Sequence, residues 1–426
     1  MIFVFYFFAA ILVLLSVKSL LGGIEYLRFF ETELAKPRSE FTPFVTVIAP
    51  CRGLDPEIDV NLKALFELDY PAYEIIFVVD DAGDPAVAVI NEVLNRRDAG
   101  TLRETKQATG ESFSLTSASQ RLSGKHERAK LVIANKAKTC SQKVENLREA
   151  VLHASQDSKA FAFVDSDARP SSEWLRSLIA PLANENVGAA TGYRWFIAKK
   201  PGLASELRSA WNASIATALG PNTKSNFCWG GSMAIRRDTF DRLNMRDRWV
   251  GTLSDDFAVT RAMNEAELPI VFVPRALTAS VEDCTFAQML EFTTRQMKIT
   301  RVYATQLWVL SYFGATLFNV VMIAALLIAI LNQPNSVPFY IAVATLLIVI
   351  ICSTGKAWLR LTAVKLALPQ HHKALKKQFF LQNTLWIVTP AIFLYNCVAA
   401  SLSRRMTWRG TVYELKSPTE TVIIAD

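Results

Sequence analysis

Four long apolar runs frame a stretch in which short apolar runs alternate with amphipathic ones. The first, "IFVFYFFAAILVLLSV" at residues 2–17, continues through Lys18 to Leu21. It is long enough to cross a hydrocarbon core roughly 30 Å thick. Three more runs, at 307–331, 337–354 and 380–402, crowd the C-terminal part of the chain. Between them, Val45–Ala49 is a β-branched run closed by Pro50, residues 57–67 have helical spacing, and Glu74–Val79 is a second strand-like run ending in Asp80-Asp81. Helical sequence at 84–97, a short strand at 131–134, a helix at 141–154 and a strand at 160–164 follow. Strand alternating with helix predicts an α/β domain over 41–285 with a parallel sheet. Residues 99–128, rich in Ser, Thr, Gly, Gln and charge, lack periodicity and read as a surface insertion.

Charge orients this arrangement. Nothing basic precedes the first run, while Arg28, Lys36 and Arg38 follow it, so 1–22 reads as an anchor with the next segment in the cytoplasm. A cleaved signal peptide would need a basic start and a small-residue cleavage site, and the run has neither. The linker 356–377 carries Lys356, Arg360, Lys365, Lys373, Lys376 and Lys377 and suits a cytoplasmic membrane surface. Four full crossings in all, the first run and three in the membrane region 305–402, would put the tail 403–426 outside, whereas Arg404, Arg405 and Arg409 favour the inside. Pro390 marks 380–402 as a candidate broken or re-entrant element. At 286–304, Phe286, Met289, Leu290, Thr293 and Met297 fall at helical spacing with a basic end. That pattern suits an amphipathic helix at the membrane interface or a core helix of the domain. The net charge of +7, from 46 Lys and Arg against 39 Asp and Glu, clusters beside the apolar runs. It points to anionic lipid and not to nucleic acid. The six cysteines form no CxxC and no paired spacing, which fits a reduced compartment without a zinc site.

Polar chemistry sits where the strands end. In open parallel sheets ligands bind beyond the carboxyl ends of strands, so Pro50-Cys51-Arg52, Asp80-Asp81 and Asp165-Ser166-Asp167 would open onto one crevice. Asp165 and Asp167, one residue apart, can project to one side. Two such charges about 4 Å apart repel by ~4 kcal/mol at an effective dielectric near 20. A divalent cation reverses that cost, and oxygen-only ligation favours Mg²⁺ or Mn²⁺ completed by substrate phosphates. The alternative is a capped turn that leads into the next helix. A second acidic pair, Asp255-Asp256, opens a helical segment. One such residue is explained by the helix dipole, and a second suits a base for an acceptor hydroxyl. Gly230-Gly231-Ser232 precedes a strand-like run and would let backbone approach a ligand, or form an ordinary tight turn.

Several segments together are similar to one family: "TVIAPCRGLDPEIDVNLKALFELDYPAYEIIFVVDDAGDPA", "VDSDARPSSEWL", "GGSMAIRRD", "LSDDFAVTRAM" and "WRGTVYEL". They resemble the ceramide glucosyltransferases over about 42–415. The resemblance implies a GT-A fold, a Rossmann-like mixed sheet flanked by helices with membrane helices at both ends, and an inverting transfer of glucose from UDP-glucose to a lipid. By the same resemblance Asp81, with Asp80 beside it, lies near the nucleotide; Asp165 and Asp167 bind the metal; Asp256 is the general base. Lys143 and Asn146 in "CSQKVENL" would contact the donor. The family's (Q/R)xxRW motif departs here. Its best match is Arg295-Gln296-Met297-Lys298-Ile299, which keeps Arg295, puts Lys298 for arginine and Ile299 for tryptophan. Lysine lacks the bidentate fork, Arg301 is a substitute for the diphosphate, and the acceptor need not be ceramide.

The resulting expectation is a multi-pass membrane glycosyltransferase with a cytoplasmic catalytic domain, a UDP-hexose donor and a lipid acceptor. A processive polysaccharide synthase shares these motifs but would need a larger membrane channel. A non-catalytic scaffold would carry three acidic clusters to no purpose. None of the histidines, at 126, 153, 371 and 372, is placed as a catalytic base.

Overall fold

The computed structural model describes residues 2–95, 128–200 and 202–425. The expected insertion at 99–128, apart from Arg128, and the last two residues of the expected 84–97 helix lie outside the described residues. Strands β1 (Val45–Pro50), β2 (Tyr73–Val79), β3 (Ala129–Ile133) and β4 (Ala160–Val164) are joined by β5 (Ala189–Thr191), β7 (Ser232–Arg236) and β8 (Ile270–Phe272) in one seven-stranded sheet. Its order is β3-β2-β1-β4-β7-β5-β8. Every residue of β1, β2 and β4 is buried, because helices cover both faces, and such strands read as continuous apolar runs. Alternate side chains divide between two cores. Val47, Ile75 and Phe77 face Trp174 and Leu178, while Ile48, Ile76 and Phe163 face Val144, Leu147 and Trp249.

The sheet is mixed where strand–helix alternation predicted parallel. Strand β7 runs antiparallel between β4 and β5. Its first residue, Ser232, pairs with Val164, the last of β4, so Gly230-Gly231 abuts Asp165. Two further strands, β6 (Arg194–Ile197) and β9 (Thr278–Val281), form a separate parallel pair. The tail folds as an antiparallel sheet of β10 (Arg405–Trp408), β11 (Thr411–Ser417) and β12 (Glu420–Ala425).

Among the described residues three helices are long and apolar enough to cross a membrane: Ile2–Ala35, Thr305–Leu331 and Val337–Ala367. The fourth run forms a pair, Phe379–Ile387 and Thr389–Leu402, bent by 57°. Pro390 sits in the first turn after the break, where its missing N–H costs least. The first and third helices extend well past the expected ends at 22 and 354, because both carry buried side chains into the domain. Tyr26 and Phe30 of the first helix and Leu361, Val364 and Ala367 of the third join the core that holds Trp174 and Phe272. The basic linker therefore begins as helix, with Lys356 Nζ donating to Ser19 Oγ at 2.9 Å.

The Phe286–Tyr303 helix starts in a capping box made by Thr285 and Gln288, which satisfies two otherwise orphaned amides. It packs against the Leu203–Ala216, Thr305–Leu331 and Thr389–Leu402 helices. Thr293 and Thr294 both donate to Asn396 Oδ1, at 3.3 and 3.0 Å. The opposite side, with Phe292, Arg295 and Ile299, lines a cleft at the ends of β1 and β4.

Candidate active site

The cleft has a volume of about 470 Å³, and Pro50, Arg52, Lys143, Asn146, Asp165, Asp167, Asp255, Asp256 and Arg295 all line it. A larger cavity, about 800 Å³, lies between the end of the first helix and residues 173–181 and 271–275. None of the candidate residues lines it, so the smaller, polar cleft is the candidate site.

Asp165 and Asp167 lie not on the strand but in a turn closed by the Ala168 amide donating to Asp165 O at 3.1 Å. Both readings of the sequence therefore meet in one place, since a turn is present and its two carboxylates still face one side. Arg194 Nη2 is 3.1 Å from Asp165 Oδ2, and Arg194 Nη1 is 3.0 Å from Asp167 Oδ2. Ser166 points the other way, donating to Asp55 Oδ2 at 2.5 Å. Burial acts to raise the Asp167 pKa, but Arg194 and Arg409 outweigh it and hold the carboxyl below its ordinary value.

Lys143, from the Gln142–Ala150 helix, joins the two acidic clusters. Its Nζ is 2.7 Å from Asp165 Oδ1 and 3.2 Å from Asp255 Oδ1. Burial opposes its charge, and the two carboxylates overcome burial and raise its pKa. The Asp255–Glu265 helix begins at the acidic pair. Asp255 is buried, and that burial, opposed by Lys143 and reinforced by Asp256 and Asp165, pushes its carboxyl up to about 7. Asp256 is half-buried. Its Oδ2 accepts from the Gly230 amide at 3.1 Å, and its Oδ1 accepts from the Phe257 amide at 2.8 Å and from Ser254 Oγ. Three donors fix this carboxylate at the edge of the cleft.

Gly230 and Gly231 are required by close approach. A Cβ at Gly230 would lie 2.2 Å from Asp255 Oδ2, and one at Gly231 would lie 2.1 Å from the Trp229 ring and 2.7 Å from Asp165 Oδ2. The glycine pair thus makes room for the acidic clusters to face each other.

Other candidates sit elsewhere. Ser232, read as acceptor-side, is fully buried, with its hydroxyl accepting from Trp174 Nε1 at 2.8 Å and donating to Ala276 O at 2.9 Å. It braces the sheet and does not line the cleft. Lys298 donates to Arg405 O at 2.6 Å on an exposed surface and is not among the residues lining the cleft. Arg301 Nη1 donates to the Ser401 carbonyl at 3.1 Å and also to that of Ala400, which ties it to the C-terminal membrane helix. Asp80 pairs with Lys136 at 2.6 Å, and Asp81 accepts from the Gly83 amide at 2.8 Å. These two end β2 beside the cleft without lining it.

The sequence assigns no site role to Arg194, Asp55, Trp229 or the tail residues Trp408, Arg409 and Tyr413, all of which line the cleft. Arg194, whose ring partners are Trp229 at 4.7 Å and Phe196 at 5.3 Å, left one signal. It is a charge inside the apolar run "GYRWFI", and a charge buried in such a run needs a partner.

Asp165 and Asp167 fit a divalent cation. Their donors are oxygens only, and Asp167 Oδ1 is buried without a hydrogen-bond partner. No group of three or more His, Cys, Asp or Glu capable of holding a metal occurs among the described residues, so substrate oxygens would complete the shell, as Mg²⁺ commonly requires.

Over 75 residues, 18% of this chain, the sequence is 31% identical to a ceramide glucosyltransferase of Komagataella phaffii, covering 15% of that protein. Over 189 residues, 44% of this chain, it is 26% identical to a ceramide glucosyltransferase of Candida albicans, covering 30% of it. The chain thus matches well under half the length of these relatives. Among solved structures, a mannosyltransferase from Pyrobaculum calidifontis in complex with GDP-Man and Mn²⁺ aligns over 93% of this chain and 98% of its own, with 18% identity and a TM-score of 0.41. Glucosyl-3-phosphoglycerate synthase from Mycobacterium tuberculosis, in complex with Mn²⁺ and UDP-Glc, aligns over 65% of this chain and 82% of its own, with 12% identity and a TM-score of 0.33. A family model described as glycosyl transferase family 21 matches residues 7–100 and 116–421, and the chain belongs to that family.

Proposed function

We propose that this protein is an inverting, membrane-embedded hexosyltransferase that moves a sugar, glucose by its resemblance, from a UDP-hexose to the hydroxyl of a membrane lipid. The observation that carries this reading is the pairing of two acidic clusters across one cleft, joined by Lys143 at 2.7 and 3.2 Å. The helix that lines the cleft runs into the first of the C-terminal spans, which supports a lipid acceptor.

Asp256 takes the proton of the acceptor hydroxyl as its oxygen attacks the anomeric carbon. The bond from that carbon to the diphosphate oxygen breaks, and the nucleoside diphosphate leaves with the electron pair. Lys143, Arg194 and Arg295 supply positive charge to the phosphates in a site shielded from water, where such charge acts most strongly. Burial lowers the Arg295 pKa to about 10, which keeps the guanidinium charged at neutral pH. Mg²⁺ or Mn²⁺ held by Asp165 and Asp167 would neutralise charge on the leaving diphosphate. The catalytic domain faces the cytoplasm and the chain crosses the membrane several times, a topology supported by the basic residues that follow the first span.

The test is mass spectrometry of lipids from a host expressing the wild type or Asp256→Asn. A hexosylated lipid made only by the wild type is expected. Equal amounts from both would remove Asp256 as the base, and polymer without a lipid monoglycoside would favour a processive synthase.

A further inference from the structure

Three residues of the tail, Trp408, Arg409 and Tyr413, form one wall of the cleft although more than 350 positions separate them from β1. Trp408 pairs with Thr411 across a two-residue turn. In that turn Arg409 has φ +54° and Gly410 φ +87°, the left-handed pair that closes a tight hairpin. The turn aims the Arg409 guanidinium at the D-x-D loop. Its Nη2 lies 2.5 Å from Asp55 Oδ1 and its Nη1 donates to Arg52 O at 3.0 Å. Asp55 in turn holds Ser166, the residue between the two candidate metal ligands, at 2.5 Å.

The hairpin is fixed and not merely draped. Arg52 Nη1 donates to Thr411 Oγ1 at 2.9 Å, and the Gln142 amide donates to Tyr413 Oη at 3.2 Å. Met406, Tyr413 and Leu415 pack with Leu253 and Ile299 in a core of their own. These contacts fall beside Lys143 and Asp255, so the tail and the acidic clusters are set by the same elements. Trp408 places its ring 5.8 Å from the Arg295 guanidinium, whereas Lys298 points away to Arg405 O.

We propose, resting on the nucleotide-sugar reading above, that the C-terminal hairpin is the donor clamp: Arg409 binds the diphosphate with its guanidinium fork, and Asp55 holds that fork in place until the donor arrives. The Asp55 side chain is 6% exposed and that of Arg409 37% exposed, so the pair opens toward the cleft from the arginine side. A planar guanidinium matches two phosphate oxygens at once, which an ammonium does not. An arginine serving only as a staple between tail and domain would have no reason to distinguish ligands with phosphates from those without.

The experiment is calorimetric titration of the full chain in detergent with UDP, GDP and uridine in the presence of Mn²⁺. Arg409→Ala is expected to weaken UDP binding by about tenfold or more while leaving uridine binding unchanged. Arg409→Lys is expected to recover part of the loss. Wild-type UDP binding with an unaltered Arg409→Ala variant would overturn the clamp alone, as would equal losses of UDP and uridine. A wild type that binds neither UDP nor GDP would overturn the donor reading, and the clamp with it.

Discussion

Arg194 lies 3.0 Å from the carboxylate of Asp167, with 11% and 20% of the two side chains exposed. The same guanidinium also reaches Asp165 at 3.1 Å, so one cation bridges two carboxylates that would otherwise repel. Removing one partner of a buried pair costs about 3–5 kcal/mol. Arg194→Gln is expected to lower the thermal midpoint and to free one oxygen of each carboxylate, Asp165 Oδ2 and Asp167 Oδ2, for a cation. Mn²⁺ should then raise the midpoint of the variant more than that of the wild type, as followed by scanning fluorimetry. Equal shifts in the two proteins would argue against a cation on this pair.

Asp255 makes stability depend on pH. Its folded carboxyl titrates near 7, raised from 3.8 chiefly by burial, so the folded chain keeps a proton that the unfolded chain gives up. The stabilisation from this proton is full below about pH 4 and fades as pH rises to about 7. Asp255→Asn removes the titration. Thermal midpoints recorded from pH 4.5 to 8 should fall less steeply for the variant, and parallel curves would show that Asp255 carries no such shift.

Gly230 offers a steric test of the facing clusters. The methyl of Gly230→Ala would meet Asp255 Oδ2 at 2.2 Å and Lys143 Nζ at 2.9 Å, and overpacking of this kind costs ~1–3 kcal/mol. Gly220, where an added Cβ meets nothing within 4 Å, is the control and should change stability by less than about 0.5 kcal/mol when made alanine. Similar losses at both positions would show that the close approach is not what demands glycine.

Phe30 joins the first helix to the domain. It is fully buried, with its ring 4.5 Å from that of Tyr26 and 6.0 Å from that of Phe272. Phe30→Ala should cost ~3–5 kcal/mol, measured by thermal unfolding in detergent micelles. A loss below about 1 kcal/mol would mean that this helix is a tether and not part of the core.

Periodicity and strand-end chemistry determined much of this protein without any coordinates. The apolar runs located the three long apolar helices and the bent pair, because about 20 consecutive apolar residues leave few other uses. The strand-end rule gathered Pro50, Arg52, Asp165 and Asp167 at one crevice, because the right-handed βαβ connection leaves parallel strands with their carboxyl ends on one edge. What periodicity missed was long-range. Antiparallel β7 was invisible because a buried strand reads the same in either direction, yet its reversal brings Gly230 to the acidic pair. The helices overran their expected ends because Phe30 and Leu361 find partners in distant segments. Arg194, Asp55 and Arg409 became site residues only through tertiary packing, since an ion pair's partner is set by three-dimensional proximity and leaves no local pattern. The same physics sent Ser232 and Lys298 away from the cleft: each met a nearer hydrogen-bond partner in the folded chain than the sequence could reveal.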